Sequence, residues 1–356
     1  MSDNFVNLHV HTAQGSLLDS ILTVKELVNF AKENGQKAIA VTDHGKMHSF
    51  VDQVKVCKAE GIKPIIGCEV YEVDNQAEKA DTKDYKQPRY HLVLLAKNET
   101  GLKNLFKVVS NACVDGMYKK PRTSLNIIEQ NKWGEGIICL TACQVGRMSR
   151  LLVDGNETEA WQLWNKLKWI FDDVFMEVQS HDTPDQAEAN AKIAAFIKKY
   201  NLPYTITTDA HMLSKEDVDA HSVFVEIGEG REVGESYVDC YLQTEDDVLR
   251  TLSKQFDEDF IREGCSMSVK IADMVDDIDI GLGQPNQMPE VKIEGEFDSH
   301  LDYLRYLVYS TFNEKFGWMV LHTGESQRTD GKYLYKYVDA FGNTKYVYAW
   351  RLTPTD

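Results

Sequence analysis

The chain has 356 residues, 43% hydrophobic and 27% charged, an ordinary mix for a folded protein of about two domains. With 39 Lys and Arg against 56 Asp and Glu the net charge is −17, which excludes non-specific nucleic-acid binding over the whole surface. No apolar run approaches the roughly 20 residues of a membrane span, and residues 1–12 (MSDNFVNLHVHT) lack the basic start and apolar block of a secretion signal.

In chain order, short apolar runs predict strands over 5–11, 37–43, 63–70, 90–96, 136–142, 174–179 and 203–208. Helical patterns fill most gaps. Thr23 and Glu26 form a capping box, with Leu27, Val28 and Ala31 as the apolar face behind it and Gly35 as the stop. Further helices are expected over 49–60, about 100–113, 157–171 and 186–200. Apolar strands alternating with helices predict an α/β fold with a parallel sheet buried on both faces, and seven such units suggest a closed barrel. Residues 212–295 read as helices and loops beside it. An amphipathic helix is expected over 298–317, with Leu301, Leu304, Leu307, Val308 and Phe312 at helical spacing. The tail is aromatic and alternating, with strands expected over 333–338 and 345–350. It carries five basic and four acidic residues over 317–356, against a net −18 for the rest, so it is compositionally a different object.

Residues able to bind metal sit where these strands end. His9 and His11 close the first strand on one face, with Asp19 in the loop after it. His44 follows the second strand (TDHG), Glu69 lies in the third (GCEV) and His91 in the fourth. Cys143 follows the fifth (LTAC), and Asp209 and His211 follow the seventh (TDAH). Sites in α/β folds form at such ends. Five imidazoles, carboxylates and a thiolate suit zinc, manganese or iron. They exceed the ligands of one tetrahedral ion, so two to three divalent ions are expected, and with them hydrolysis of a phosphate ester. No phosphate-binding G-x-x-x-x-G-K-[ST] loop and no G-x-S-x-G nucleophile motif is present. Lys119, Lys120 and Arg122 form the compact basic cluster of the barrel region, a candidate contact for DNA or phosphate. The seven cysteines include no C-x-x-C pair and fit a reduced, cytoplasmic compartment; all but Cys143 read as small buried hydrophobes.

The segments LHVHT, LLDS, TDHG, GIKPIIGCEVY, YHLVLLAKNETGLKNL, YKKPR, LTAC and TDAH, in this order, resemble the polymerase and histidinol phosphatase (PHP) domain of bacterial DNA polymerase III alpha subunits over about residues 1–295. The resemblance implies a distorted seven-stranded β/α barrel with a trinuclear site. By it, His9, His11, Glu69 and Asp209 hold one ion and carry the catalysis. Glu69, His91 and Cys143 hold a second, and Asp19, His44 and His211 a third. All nine positions carry the expected residue types, which favours a 3′–5′ exonuclease or phosphoesterase acting on DNA, with replisome subunits as partners. The alternative is a non-catalytic structural or DNA-binding module.

Residues 296–318 resemble the start of the polymerase region. The palm that follows in the family is not in this sequence, so primer extension is not expected of these residues. Residues 319–356 instead resemble the small three-stranded arm-binding domain of conjugative-transposon tyrosine integrases, which reads DNA. That resemblance makes Arg328, Lys332, Tyr335, Lys336, Lys345 and Arg351 candidate DNA contacts.

Overall fold

The computed structural model describes residues 4–79, 87–230, 238–285, 288–295, 297–316, 319–327, 332–338 and 343–350. The chain forms two compact units, Met1–Leu282 and Gly283–Asp356.

The first unit contains strands β1 (Ala38–Val41), β2 (Lys63–Glu72), β3 (Tyr90–Ala96), β4 (Met117–Tyr118), β5 (Lys120–Thr123), β6 (Ile137–Leu140), β7 (Asp173–Gln179) and β8 (Tyr204–Thr207). β1 pairs with β2, β6 with β7 and β7 with β8, all in parallel. The run over 5–11 forms no ladder, yet it fills the gap between β8 and β1. Asn7 and Val10 carbonyls accept from the Ala40 and Thr42 amides (3.1 and 2.8 Å) on one side. On the other side the His11 amide donates to the Ala210 carbonyl (2.8 Å) and the Ala210 amide to the His9 carbonyl (3.2 Å). The seven expected staves therefore close a ring.

One stave runs backwards. β3 is antiparallel to both β2 and β6, against the all-parallel expectation. The reversal puts the N-terminal end of β3 level with the C-terminal end of β2, so His91 lies opposite Tyr71 and Val93 opposite Glu69. The basic cluster is not a simple loop either. It makes a hairpin of β4 and β5, with β5 pairing to the end of β2 at Tyr71 and Glu72.

Side chains two apart share a strand face, and the shared inner face is apolar at one end of the barrel and polar at the other. Ile65, Val93, Leu95, Ile138, Leu140 and Phe175 form one buried cluster with Val6 and Leu8. Glu69, His91 and Glu177 continue the same faces of β2, β3 and β7. The apolar end is closed by the helix Glu258–Met274 through Ile271 and Ala272. Outside, the helices Glu99–Val114, Glu157–Ile170 and Pro184–Tyr200 bury the larger core. The Thr23 capping box is present, with the Glu26 carboxylate accepting from the Thr23 amide at 2.9 Å.

In the second unit the helix His300–Phe316 precedes β9 (Met319–Gln327), β10 (Lys332–Val338) and β11 (Thr344–Trp350), an antiparallel sheet of order β11-β10-β9. The residues alone predicted only β10 and β11. The apolar residues of the helix do not form a buried face: Leu301, Leu304, Leu307 and Val308 are exposed. No helix among the described residues is long and apolar enough to cross a membrane.

Candidate metal centre

The polar mouth of the barrel gathers all nine residues. Glu69 is the hub and is buried. Its Oε1 lies 2.8 Å from His91 Nδ1 and 3.2 Å from His9 Nε2. Its Oε2 lies 2.5 Å from His44 Nδ1 and 3.7 Å from His11 Nε2. Asp209 Oδ1 lies 3.1 Å from His11 Nε2 and 3.3 Å from His9 Nε2. Asp19 Oδ2 is 2.6 Å from His44 Nε2 and 3.8 Å from His211 Nε2. Cys143 Sγ is 3.5 Å from His91 Nδ1. His11 stacks between His44 and His211, at centroid distances of 4.0 and 4.3 Å.

The backbone is bent to serve this mouth. Asp209 and Ala142, the latter one residue before Cys143, hold φ of 47° and 61°, left-handed values that cost non-glycine residues energy. The loop before Asp19 is tied down by the buried Asp43 carboxylate, which accepts from the Thr12 amide (2.6 Å) and from the Thr12, Ser16 and Ser49 hydroxyls. Gly15 passes so close that a Cβ there would lie 1.9 Å from Asp43 Oδ2. His211 Nδ1 donates to the Asp209 carbonyl (2.7 Å), which turns Nε2 toward Asp19. His221 Nε2 donates to the Asp19 carbonyl (2.6 Å).

The donors fit metal ions. His9 Nε2, His11 Nε2, His44 Nδ1, both Glu69 oxygens and Asp209 Oδ1 are buried, have no hydrogen-bond partner outside this cluster and face one another. Groups of polar atoms left this way need a partner. Three ligand groups each fall within 4.8 Å: His9, His11 and Asp209; His44, Glu69 and His91; and His11, His44 and His211. These only partly follow the sets that the resemblance implied, because His44 reaches Glu69 as well as Asp19.

Protons balance the charges in this cluster. Burial disfavours a charged His44, but Glu69 and Asp19 outweigh it and raise the pKa to about 10. His9 and His211 are likewise raised despite burial, through Asp209 and Glu177 for His9 and Asp19 for His211. His11 is lowered to about 3 by burial and by its neighbours His44 and His211. Burial pushes Glu69 and Asp209 up, yet the imidazoles, His91 first for Glu69 and His9 first for Asp209, hold both well below the usual range. A raised imidazole pKa means a proton held at neutral pH, and a cation must expel it. Titrating zinc or manganese into the metal-free chain at pH 7 in weak buffer should therefore release protons. Uptake of ions with no proton release would contradict this charge balance.

The cluster forms one wall of a cavity of about 500 Å³. Tyr71, Arg89 and Lys120 line its mouth, with Leu17 and Leu18 beside Asp19. Lys120 Nζ sits over the Tyr71 ring, 5.6 Å from the centroid. Lys119 is exposed against Tyr118. Arg122 corrects the sequence expectation of a DNA contact. It is buried, and its guanidinium donates to the carbonyls of Gly116 (3.1 Å), Glu78 (2.8 Å) and Gln76 (3.1 Å) and to Gln87 Oε1 (3.2 Å), out of reach of a phosphate.

In the second unit Arg328 and Arg351 lie outside the described residues. Lys332, Tyr335 and Lys336 are in β10 and Lys345 in β11. In register, Lys332 faces Trp350, Tyr335 faces Val347, Lys336 faces Tyr346 and Lys345 faces Tyr337.

The sequence reading did not single out Asp43, Arg89 or Glu177. Glu177 left a visible signal, a carboxylate inside the apolar strand run VFMEVQ.

A ring of strands with a histidine–carboxylate cluster at its polar mouth defines a metal-binding β/α barrel. Residues 7–181 match the family model described as the PHP domain, and residues 317–356 the one described as the DNA binding domain of Tn916 integrase. DNA polymerase III subunit alpha of Treponema pallidum is 32% identical over 316 residues, covering 88% of this chain and 26% of the relative. That of Aquifex aeolicus is 41% identical over 232 residues, covering 63% of this chain and 20% of the relative. The first unit thus carries a PHP domain of the kind found in bacterial DNA polymerase III alpha subunits, followed by a segment similar to an integrase DNA-binding domain. The chain spans about a quarter or a fifth of the length of these relatives. A solved two-domain protein from Bacteroides vulgatus, containing a predicted PHP-like metal-dependent phosphoesterase, is 11% identical. Its TM-score is 0.34 over 94% of this chain and 75% of its own, a likeness too loose to bear on function.

Proposed function

We propose that this chain is a metal-dependent phosphoric ester hydrolase that removes nucleotides from DNA 3′ ends. The observation that carries the reading is the unbroken set of nine metal-binding residue types gathered at one barrel mouth. His9, His11, Glu69 and Asp209 would hold one ion, Glu69, His91 and Cys143 another, and Asp19, His44 and His211 a third, whether zinc, manganese or iron. Such ions supply Lewis acidity, which polarises a phosphoryl oxygen and makes water a nucleophile near neutral pH. Arg89 and Lys120 at the cavity mouth bring positive charge to an otherwise acidic chain and would draw in a phosphodiester. The carboxylates, held ionised by the imidazoles around them, keep the site ready for cations across neutral pH.

The organisation that goes with this reading is a barrel domain over 1–295, a helical connection over 296–318 and a DNA-binding module over 319–356. Lys119 and the tail residues Arg328, Lys332, Tyr335, Lys336, Lys345 and Arg351 would add phosphate contacts, in the cytoplasm and alongside replisome subunits.

The test is metal analysis of the purified chain together with digestion of 3′-labelled single-stranded DNA, with His9→Ala and Asp209→Asn as controls. Two to three ions, and shortening from the 3′ end that both variants abolish, are the expected results. Bound ions with no hydrolysis of DNA or of a phosphate monoester would make the centre structural and overturn the reading.

A further inference from the structure

We infer that Glu177 is a positioning residue of the metal centre, which fixes the tautomer and the aim of His9. The inference rests on the metal reading above. Glu177 lies in β7, is fully buried and contributes none of the atoms grouped above as ligands. Its carboxylate is surrounded by donors. Oε1 accepts from the Thr207 hydroxyl (2.6 Å), and Oε2 accepts from the Ala142 amide (3.0 Å). Gln179 Nε2 approaches Oε1 at 3.4 Å. These contacts tie β7 to β8 and to the bend before Cys143.

The remaining contact of Glu177 is His9 Nδ1, 2.7 Å from Oε1. A carboxylate already accepting from a hydroxyl and an amide presents only lone pairs, so Nδ1 must carry the hydrogen. With Nδ1 so committed, Nε2 is the atom that points toward Glu69 and Asp209, at 3.2 and 3.3 Å, and it is the Nε2 proton that a cation would displace to take its lone pair. This is the arrangement in which a carboxylate behind a histidine orients the ring and raises its strength as a ligand. Glu177 also places a buried negative charge behind the centre, which favours cation binding through the ring.

The experiment is a double-mutant cycle on the whole chain, read as affinity for zinc and for manganese by titration of the metal-free protein. Glu177→Gln should weaken ion binding by about 10–100-fold. Combined with His9→Ala, the same substitution should cost little more than His9→Ala alone, because the ring it acts through is gone. Fully multiplying effects would overturn the assignment. So would a Glu177→Gln chain that melts earlier but binds ions as tightly as the wild type. If Glu177→Gln does not fold, Thr207→Val removes one of the donors that hold the carboxylate, and a several-fold loss of affinity is then expected, against none if Glu177 is only structural. A wild-type chain that takes up no ion sinks the metal reading itself. The imidazole ¹⁵N shifts of His9, read at a pH high enough to neutralise the ring, then decide the present inference: a neutral ring protonated at Nδ1 supports it, and one protonated at Nε2 overturns it.

Discussion

Glu69→Gln should cut hydrolysis of 3′-labelled single-stranded DNA by about a thousandfold and lower the ion content of the purified chain. The size follows from the position of Glu69. Its two oxygens lie within 3.7 Å of four imidazoles and have no hydrogen-bond partner outside that cluster. A glutamine has the same shape but no charge, and half of its end is an amide donor that cannot bind a cation. Every ion placed beside Glu69 would lose charge compensation at once, and the loss of several kcal/mol of transition-state stabilisation corresponds to a drop of this order. Circular dichroism should be unchanged, since no packing is lost. Activity within about twofold of the wild type at full ion content would refute the prediction, with or without a structural effect elsewhere.

Arg122→Ala should destabilise the chain by about 3–5 kcal/mol in a denaturant titration and leave DNA affinity unchanged. Three backbone carbonyls lose their donor, those of Gly116 and Gln76 in a buried place and that of Glu78 in a part-buried one, and the guanidinium and its stem leave a cavity. Each stranded acceptor costs about 1–3 kcal/mol where water cannot reach it, and relaxation recovers part of the sum. Lys120→Ala makes the useful contrast. It removes an exposed charge at the cavity mouth, so stability should hold while the salt dependence of DNA binding weakens. The two phenotypes exchanged between these positions would refute the burial argument.

The two residues also mark the boundary of what the sequence makes legible. Ligand types at strand ends are readable because alternation and strand length are local properties, and the structure does bring His9, His11, Asp19, His44, Glu69, His91, Cys143, Asp209 and His211 to one mouth. Strand direction is not local. The run over 90–96 has the same alternating apolar pattern whichever way it points, so the reversal of β3 left no signal. Its consequence at the site is nonetheless large, because only a reversed strand brings His91, near its start, beside Glu69. The β4–β5 hairpin was hidden for another reason. Its strands have two and four residues, and it turns at Lys119, with φ of 62°, rather than at a glycine or asparagine. Arg122 in a basic cluster reads as surface, and only the carbonyls collected around it from two separate stretches of chain, at Gln76 and Glu78 and at Gly116, explain its burial. The helix His300–Phe316 has apolar spacing but no partner face among the described residues, so spacing alone overstated its burial.

The stave over 5–11 has a consequence for how the protein is made. It hydrogen-bonds to Ala210, two hundred residues later, and it carries His9 and His11, whose carboxylate partner is Asp209. During synthesis the first ligands leave the ribosome long before the last, and they have no barrel to belong to until β8 has followed them out. Until then they are exposed histidines on an unpaired edge. Filling of the ion set built on His9, His11 and Asp209 should thus be a late event of biosynthesis, coupled to ring closure. A nascent chain stopped before Asp209 would lack Asp209 and His211, and with them the completion of two of the three ion sets.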